Sequence, residues 1–211
     1  MKKWNKDAAV ETLGFSGLLQ LRGRSLKRDL CEWFVQNFDV PSSSMNLHGQ
    51  SIPLTVDDVS SILGLRNEGI DVATSGNKKE ANHLCKRFNL PIKTKLTFGI
   101  LEKKMLVLDG ESDDFKARLL LYIVGRFFCP STDWGPSPDY YFCLNEDGFT
   151  GKLNWAKHAY EKLLDSIKSF HSRKDKSYLT GCVLLLEVSY IYYVDYFFIY
   201  FVLRDFQNVE V

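Results

Sequence analysis

Residues 113–128 read DDFKARLLLYIVGRFF, and this stretch decides the fold class. Ser112 stands where its hydroxyl can accept from the first free helical N–H groups, and Asp113 and Asp114 fall in a first turn whose dipole favours carboxylates. Cys129-Pro130 stops the segment. A helix this apolar is predicted to run through the centre of a helical core.

Working outward on the C-terminal side, STDWGPSPDYYFCLNEDGFTGK (131–152) holds Gly135, Pro136, Pro138, Gly148 and Gly151. It reads as loop, with one short extended run at Tyr140 to Leu144. Asn154 then caps WAKHAYEKLLDSIKSF (155–170), whose Trp155, Ala159, Leu163, Ile167 and Phe170 form one apolar stripe.

On the N-terminal side, helical spacing is present in LTFGILEKKMLVL (96–108), after the basic tract KKEANHLCKRFNLPIKTK (78–95) and a small polar loop from Gly69 to Asn77. Thr55 caps VDDVSSILGL (56–65) and Gly64 suits its left-handed end. Before it, Met45 to Leu47 and Ile52 to Leu54 flank His48-Gly49-Gln50, a β-hairpin pattern. SLKRDLCEWFVQNFD (25–39) reads as a helix capped by Ser25, with Leu26, Leu30, Trp33, Phe34 and Phe38 inward and Pro41 beyond its end. A short helix and turn precede it, between Lys6 and Leu21. The predicted fold is therefore mainly α: a single helical bundle-like domain over residues 1–187 with one small β-hairpin, and with Trp33, Phe34, Leu120, Ile123, Trp155 and Leu163 in its core.

The totals agree with one domain. A chain of 211 residues buries roughly two-thirds of its unfolded surface. Its 45% hydrophobic, 14% aromatic and 25% charged residues are those of an ordinary globular protein with a ring-rich core. Lys plus Arg number 27 against 26 Asp plus Glu, so no global field draws the chain to nucleic acid or to an acidic membrane, and any such contact must be local. The N-terminal MKKWNKD carries no secretory pattern, which makes nuclear or cytoplasmic the expected localisation. The five cysteines stand apart, mostly beside apolar residues, as buried reduced thiols do.

No catalytic constellation, cofactor motif or metal motif is visible. His48, His83, His158 and His171 do not stand at zinc spacing with the cysteines. The acid pairs Asp57-Asp58 and Asp113-Asp114 open helices, where capping explains them. Gly-rich phosphate loops and nucleophile elbows are absent. The candidate nucleic-acid contacts are Lys78, Lys79, Lys86, Arg87, Lys93 and Lys95, with a second basic group at Arg22, Arg24, Lys27 and Arg28; the bland alternative for both is a solvated face.

Three blocks together resemble a known family: GLLQLRGRSLKRDLCEWFVQNFDVPSSSMNLHGQSIPLTVDDVSSILGL, then RLLLYIVGRFFCPSTDWG, then NWAKHAYEKLLDSIKSF followed by LTGCVLLLE. Their order is similar to the transposon-derived plant mobile domain, sometimes labelled "aminotransferase-like", especially in proteins that carry a ubiquitin-like-specific protease downstream. The resemblance implies nuclear, chromatin- or transposon-related biology with no enzymatic step in this domain. An aminotransferase needs a Schiff-base lysine, a pyridinium partner and a phosphate site on a larger α/β scaffold, and the helical pattern here offers none.

The expected function is a non-catalytic interaction module with protein and nucleic-acid partners. The alternatives are an accessory domain of a shortened ubiquitin-like-protease-family protein, a membrane-anchored protein and an enzyme of unrecognised type. The oligomeric state is not legible. Residues 188–211 shift abruptly to Tyr, Phe, Ile and Val, and Glu187-Val188-Ser189 can be encoded by a splice-donor sequence, so this segment reads as translated intron. A last helix, or a membrane span over 181–203, is the rival reading. Against the span stand Glu187 and Asp195, since a central Asp costs about 2.5–3.5 kcal/mol.

Overall fold

Ser112 accepts a hydrogen bond from Phe115 N–H at 3.2 Å, and the helix it starts runs through the middle of the molecule. In the computed structural model, residues 6–20, 27–47, 49–91, 95–130, 133–172, 181, 182, 185, 186 and 188 are described. In chain order the elements are α1 (Lys6–Thr12), a 3-10 turn (Ser16–Gln20), α2 (Arg28–Gln36), β1 (Phe38–Asp39), β2 (Ser44–Leu47), β3 (Gln50–Pro53), α3 (Val56–Leu63), α4 (Lys78–Arg87) and α5 (Phe98–Met105). There follow α6 (Asp113–Ile123), a π-helical turn (Val124–Phe128), a 3-10 helix (Pro138–Cys143), α7 (Glu146–Phe149) and α8 (Trp155–Ser172). The fold is mainly helical with a small antiparallel sheet, as the periodicities predict.

The core forms where α6 and α8 meet the N-terminal turn. Phe128, Phe15 and Trp155 make a ring trio with centroids 5.4, 5.5 and 6.4 Å apart. All five residues of the α8 stripe are buried, and Asn154 caps the helix by accepting from Lys157 N–H at 2.9 Å. Along its length α8 packs on α3 and α2, while α6 packs on α5 and α7. At the end of α8, His171 Nε2 reaches Val35 O of α2 at 2.6 Å.

Local chemistry sets α3. Thr55 Oγ1 accepts from Asp58 N–H at 3.2 Å while the Asp58 carboxylate accepts from Thr55 N–H at 2.8 Å, a reciprocal capping box. Asp57 accepts from the Asn67 side chain. Gly64 closes the helix at φ 60°, and Gly17 crosses it there: a Cβ on Gly17 would stand 2.1 Å from Leu63 O, so only glycine fits.

The structure corrects three expectations. Helix α2 ends at Gln36, and Phe38–Asp39 is a third strand, with Phe38 opposite Met45. Trp33 is 42% exposed rather than core. The buried stripe of α2 is Cys31, Phe34 and Val35, and at 100° per residue Trp33 falls about 150° around from its centre. Tyr140 to Leu144 is not an extended run: Tyr140 to Cys143 belong to the 3-10 helix and Leu144 caps its end, because Ser137 caps Asp139 N–H at 3.3 Å and Pro138 supplies a helical φ in the first turn.

The readings for Arg22, Arg24, Ser25, His48 and Lys93, and those for 189–211, fall outside the described residues. Among the described residues, no helix is long and apolar enough to cross a membrane.

Candidate nucleic-acid interface

The basic tract 78–87 folds as α4, and one wall of a cleft is built from it. Asn77 Oδ1 accepts from Lys79 N–H at 2.9 Å to start the helix, and Leu84, Cys85 and Phe88 bury its apolar face. Its C-terminal end is tied down from α6. Arg118, 5% exposed, donates to Phe88 O at 2.9 Å and Asn89 O at 3.4 Å. A guanidinium here satisfies carbonyls that the helix leaves free and complements its negative end. Burial lowers the Arg118 pKa and the Asp114 carboxylate offsets this.

The facing wall is the segment 133–142. Trp134 O accepts from Phe98 N–H at 3.0 Å, and a Cβ on Gly135 would stand 1.8 Å from Leu96 O, so the two backbones touch. Asp133 accepts from Lys95 Nζ at 2.7 Å. The 3-10 helix then turns Tyr141 and Phe142 to the cleft, and Thr74, Ser75 and Gly76 join its lining. The cavity between the walls measures about 610 Å³, and its lining includes Cys85, Leu96, Tyr141 and Phe142. Burial, with a contribution from nearby Cys85, pushes the Tyr141 phenol up to about 12.

The tract does not act as one patch. Lys78, Asn82 and Lys95 line the cleft. On α4 the cleft side carries Lys78, Ala81, Asn82 and Cys85, and at 100° per residue Lys79 and Lys86 fall together on the adjoining face, about a quarter-turn away. Among the described residues, no carboxylate pairs with these three lysines. Arg87 points elsewhere: it lies 3.7 Å from Asp113 and over the Phe88 ring at 5.2 Å. Lys27 and Arg28, at the start of α2, are not in the cleft lining. Sequence reading missed Asn82, Trp134, Tyr141 and Phe142. The available signal was the clustering of aromatics among Gly and Pro in 133–142, where a loop holds rings that no helical stripe needs.

A second polar group lies behind the 3-10 helix. Tyr140 Oη and the His158 Nε2 of α8 share a 3.0 Å hydrogen bond, both residues being buried. Burial, aided by nearby Lys162, lowers His158 to about 4. Burial pushes the Cys129 thiol up to about 11, against a hydrogen bond with Tyr140 that lowers it, and pushes Cys143 and Cys182 up to about 12. At neutral pH these groups are uncharged: the thiols are not thiolates, and the imidazole is not an imidazolium that could activate one. The geometry holds together a neutral network. Among the described residues, no three His, Cys, Asp or Glu side chains are grouped to hold a metal ion.

Comparison with curated proteins and with solved structures finds no match. A family model does match, over residues 3–187, a span that contains α4, the cleft and the buried Tyr140–His158 pair. The chain therefore belongs to the family described as Domain of unknown function (DUF8566).

Proposed function

We propose that this domain is a non-catalytic interaction module that receives nucleic acid in the cleft between α4 and residues 133–142. The observation that carries the reading is Lys78 in the lining of a cleft that Tyr141 and Phe142 also line, with Lys79 and Lys86 on the adjoining face of α4, all three lysines without an acidic partner among the described residues. Lysines so placed gain by releasing counterions from phosphates, whereas in a solvated face they would do no more than keep the chain soluble. The neutral thiols and imidazole behind the 3-10 helix support binding rather than covalent chemistry. The likeness of three sequence blocks to the plant mobile domain supports a transposon-derived plant protein working in the nucleus, on chromatin.

The test is binding of the purified protein to labelled oligonucleotides over a salt series. Binding should weaken with salt, and the triple variant K78E/K79E/K86E should lose about 0.7–0.9 units of log–log slope for each phosphate contact removed. R87E, on the far side of α4, should leave the slope unchanged. Binding that survives the triple reversal removes the cleft from the interface, and absence of binding at low salt removes the reading.

A further inference from the structure

Among the described large hydrophobic residues, Trp134 is the most exposed, at 84%. Its exposure is not that of a loosely tethered loop tip. The backbone on its C-terminal side is fixed, by Phe98 N–H donating to Trp134 O and by the close seat of Gly135 on Leu96 O. Its neighbours Asp133 and Pro136 line the cleft, and the Asp133–Lys95 pair closes the rim beside it. A large apolar ring is thus presented to solvent by an anchored segment, one residue from the Asp133 that holds Lys95.

Building on the proposed nucleic-acid reading, we infer that the ligand is single-stranded, with one unpaired base stacked on the Trp134 indole and the strand led into the cleft past Lys95 and Lys78. Rings beside a basic groove are how proteins hold single strands, since every base has a π-face and an unpaired one leaves it open. In a duplex those faces are already covered by neighbouring pairs, so an indole has nothing to stack on without unstacking cost. The cleft also has the right scale. A volume of about 610 Å³ lies within the range of small-molecule pockets, about 300–1,000 Å³, which admits a nucleotide or two and excludes a duplex. Its lining also includes Asn82, Thr74 and Ser75, residues whose side chains can donate to and accept from a base edge. Of the charged side chains that line the cleft, Lys95 answers Asp133 and Asp139 accepts from Ser137 Oγ at 2.9 Å, which leaves Lys78 without a carboxylate partner among the described residues, with Lys79 and Lys86 on the adjoining face of α4.

The experiment compares a fluorescein-labelled 12-nucleotide DNA strand, the RNA of the same sequence and the DNA duplex, against the wild-type protein, W134A and W134F. The single strands should bind more tightly than the duplex at equal salt. W134A should weaken single-strand binding roughly ten-fold, the weight of one stacked base, with no change in salt slope, and W134F should recover most of it. Intrinsic tryptophan emission should be quenched by the strand in the wild-type protein and not in W134F, a readout that holds even if W134A is poorly folded. Equal binding of strand and duplex, or affinity and quenching indifferent to position 134, overturns the inference while leaving the nucleic-acid reading intact. No binding of any oligonucleotide at low salt overturns both. A DNA strand and an RNA strand bound alike places recognition in the base face; a preference for RNA assigns part of it to the 2′-hydroxyl.

Discussion

Trp155 and Trp134 are the same residue under opposite constraints. Trp155 opens α8, is 1% exposed, and lies against Phe15, Phe128 and His158. Its indole nitrogen has no hydrogen-bond partner among the described residues, so the ring is held by shape and apolar contact alone. At Trp134 the relation is inverted: the backbone is bonded and packed, and the ring stands out in water. Around Trp155 the side chains determine where the backbone goes, whereas around Trp134 the backbone determines where a side chain is shown. The first arrangement generates stability. The second generates a surface, and its residues are free to serve a ligand because the fold does not need them.

The contrast breaks most easily at Trp155. Replacing it with Ala should cost about 3–5 kcal/mol by lost transfer energy and the cavity left among Phe15 and Phe128. Chemical denaturation measures it, and an unchanged midpoint would mean that the ring is not in the core.

Next in size is the imidazole beside it. Burial holds His158 neutral down to about 4, below the ordinary 6.5, with Lys162 adding to the effect. The unfolded chain then binds this proton at higher pH than the folded one, so stability falls as pH drops from 6.5 towards 4 and this contribution is flat below that. The loss should reach on the order of 3 kcal/mol. Comparing denaturation midpoints at pH 7 and 4.5 for the wild-type protein and H158Q isolates it from the carboxylates. A wild-type pH dependence no steeper than that of H158Q would show that His158 is solvated.

A smaller effect belongs to a helix end. Thr55→Ala removes one arm of the capping box and should cost about 1 kcal/mol, read as a lower melting temperature; a change inside measurement error would mean that water serves Asp58 N–H equally well.

Which parts were legible in the sequence follows the same division. Thr55, Gly64, Ser112 and Asn154 announce helix ends through interactions reaching a few residues, and the α8 stripe announces burial through its period; all of these appear in the structure. Phe38–Asp39 does not announce itself, because a two-residue strand exists only through its pairing with Ser44 and Met45. Trp33 misled because Phe38, read as part of its stripe, lies in β1 outside the helix, and packing buries the neighbouring face of Cys31, Phe34 and Val35 instead. Tyr140 to Leu144 is a short aromatic and apolar run like that of a buried strand, but the Ser137-Pro138 start decides otherwise. The cleft was the least legible. Its walls come from residues 74–82, 95–96 and 133–142, whose meeting depends on Arg118 fixing the end of α4 and Trp134 O bonding to Phe98. Six basic residues were readable as a tract, but the placing of Lys78 and Lys95 in the cleft lining, of Lys79 and Lys86 on the adjoining face of α4 and of Arg87 beside Asp113 becomes visible only once the helix gives them faces.

The smallest expected effect is also the sharpest test of the contrast. Trp134→Ala should leave stability within about 0.5 kcal/mol of wild type, the range for surface positions away from caps, cavities and networks. At 84% exposure the indole contributes almost no buried area, and what positions the segment is main chain, through Trp134 O, and the glycine beside it, neither of which the substitution removes. The control lies one residue on. Gly135→Ala puts a methyl group where Leu96 O stands 1.8 Å away, which forces the two backbones apart. Thermal denaturation of the pair should therefore show a silent W134A and a destabilised G135A. A W134A variant that melts several degrees lower would mean that the ring packs on its own rim, and the division between a residue that holds the fold and one that is held out from it would fail at this position.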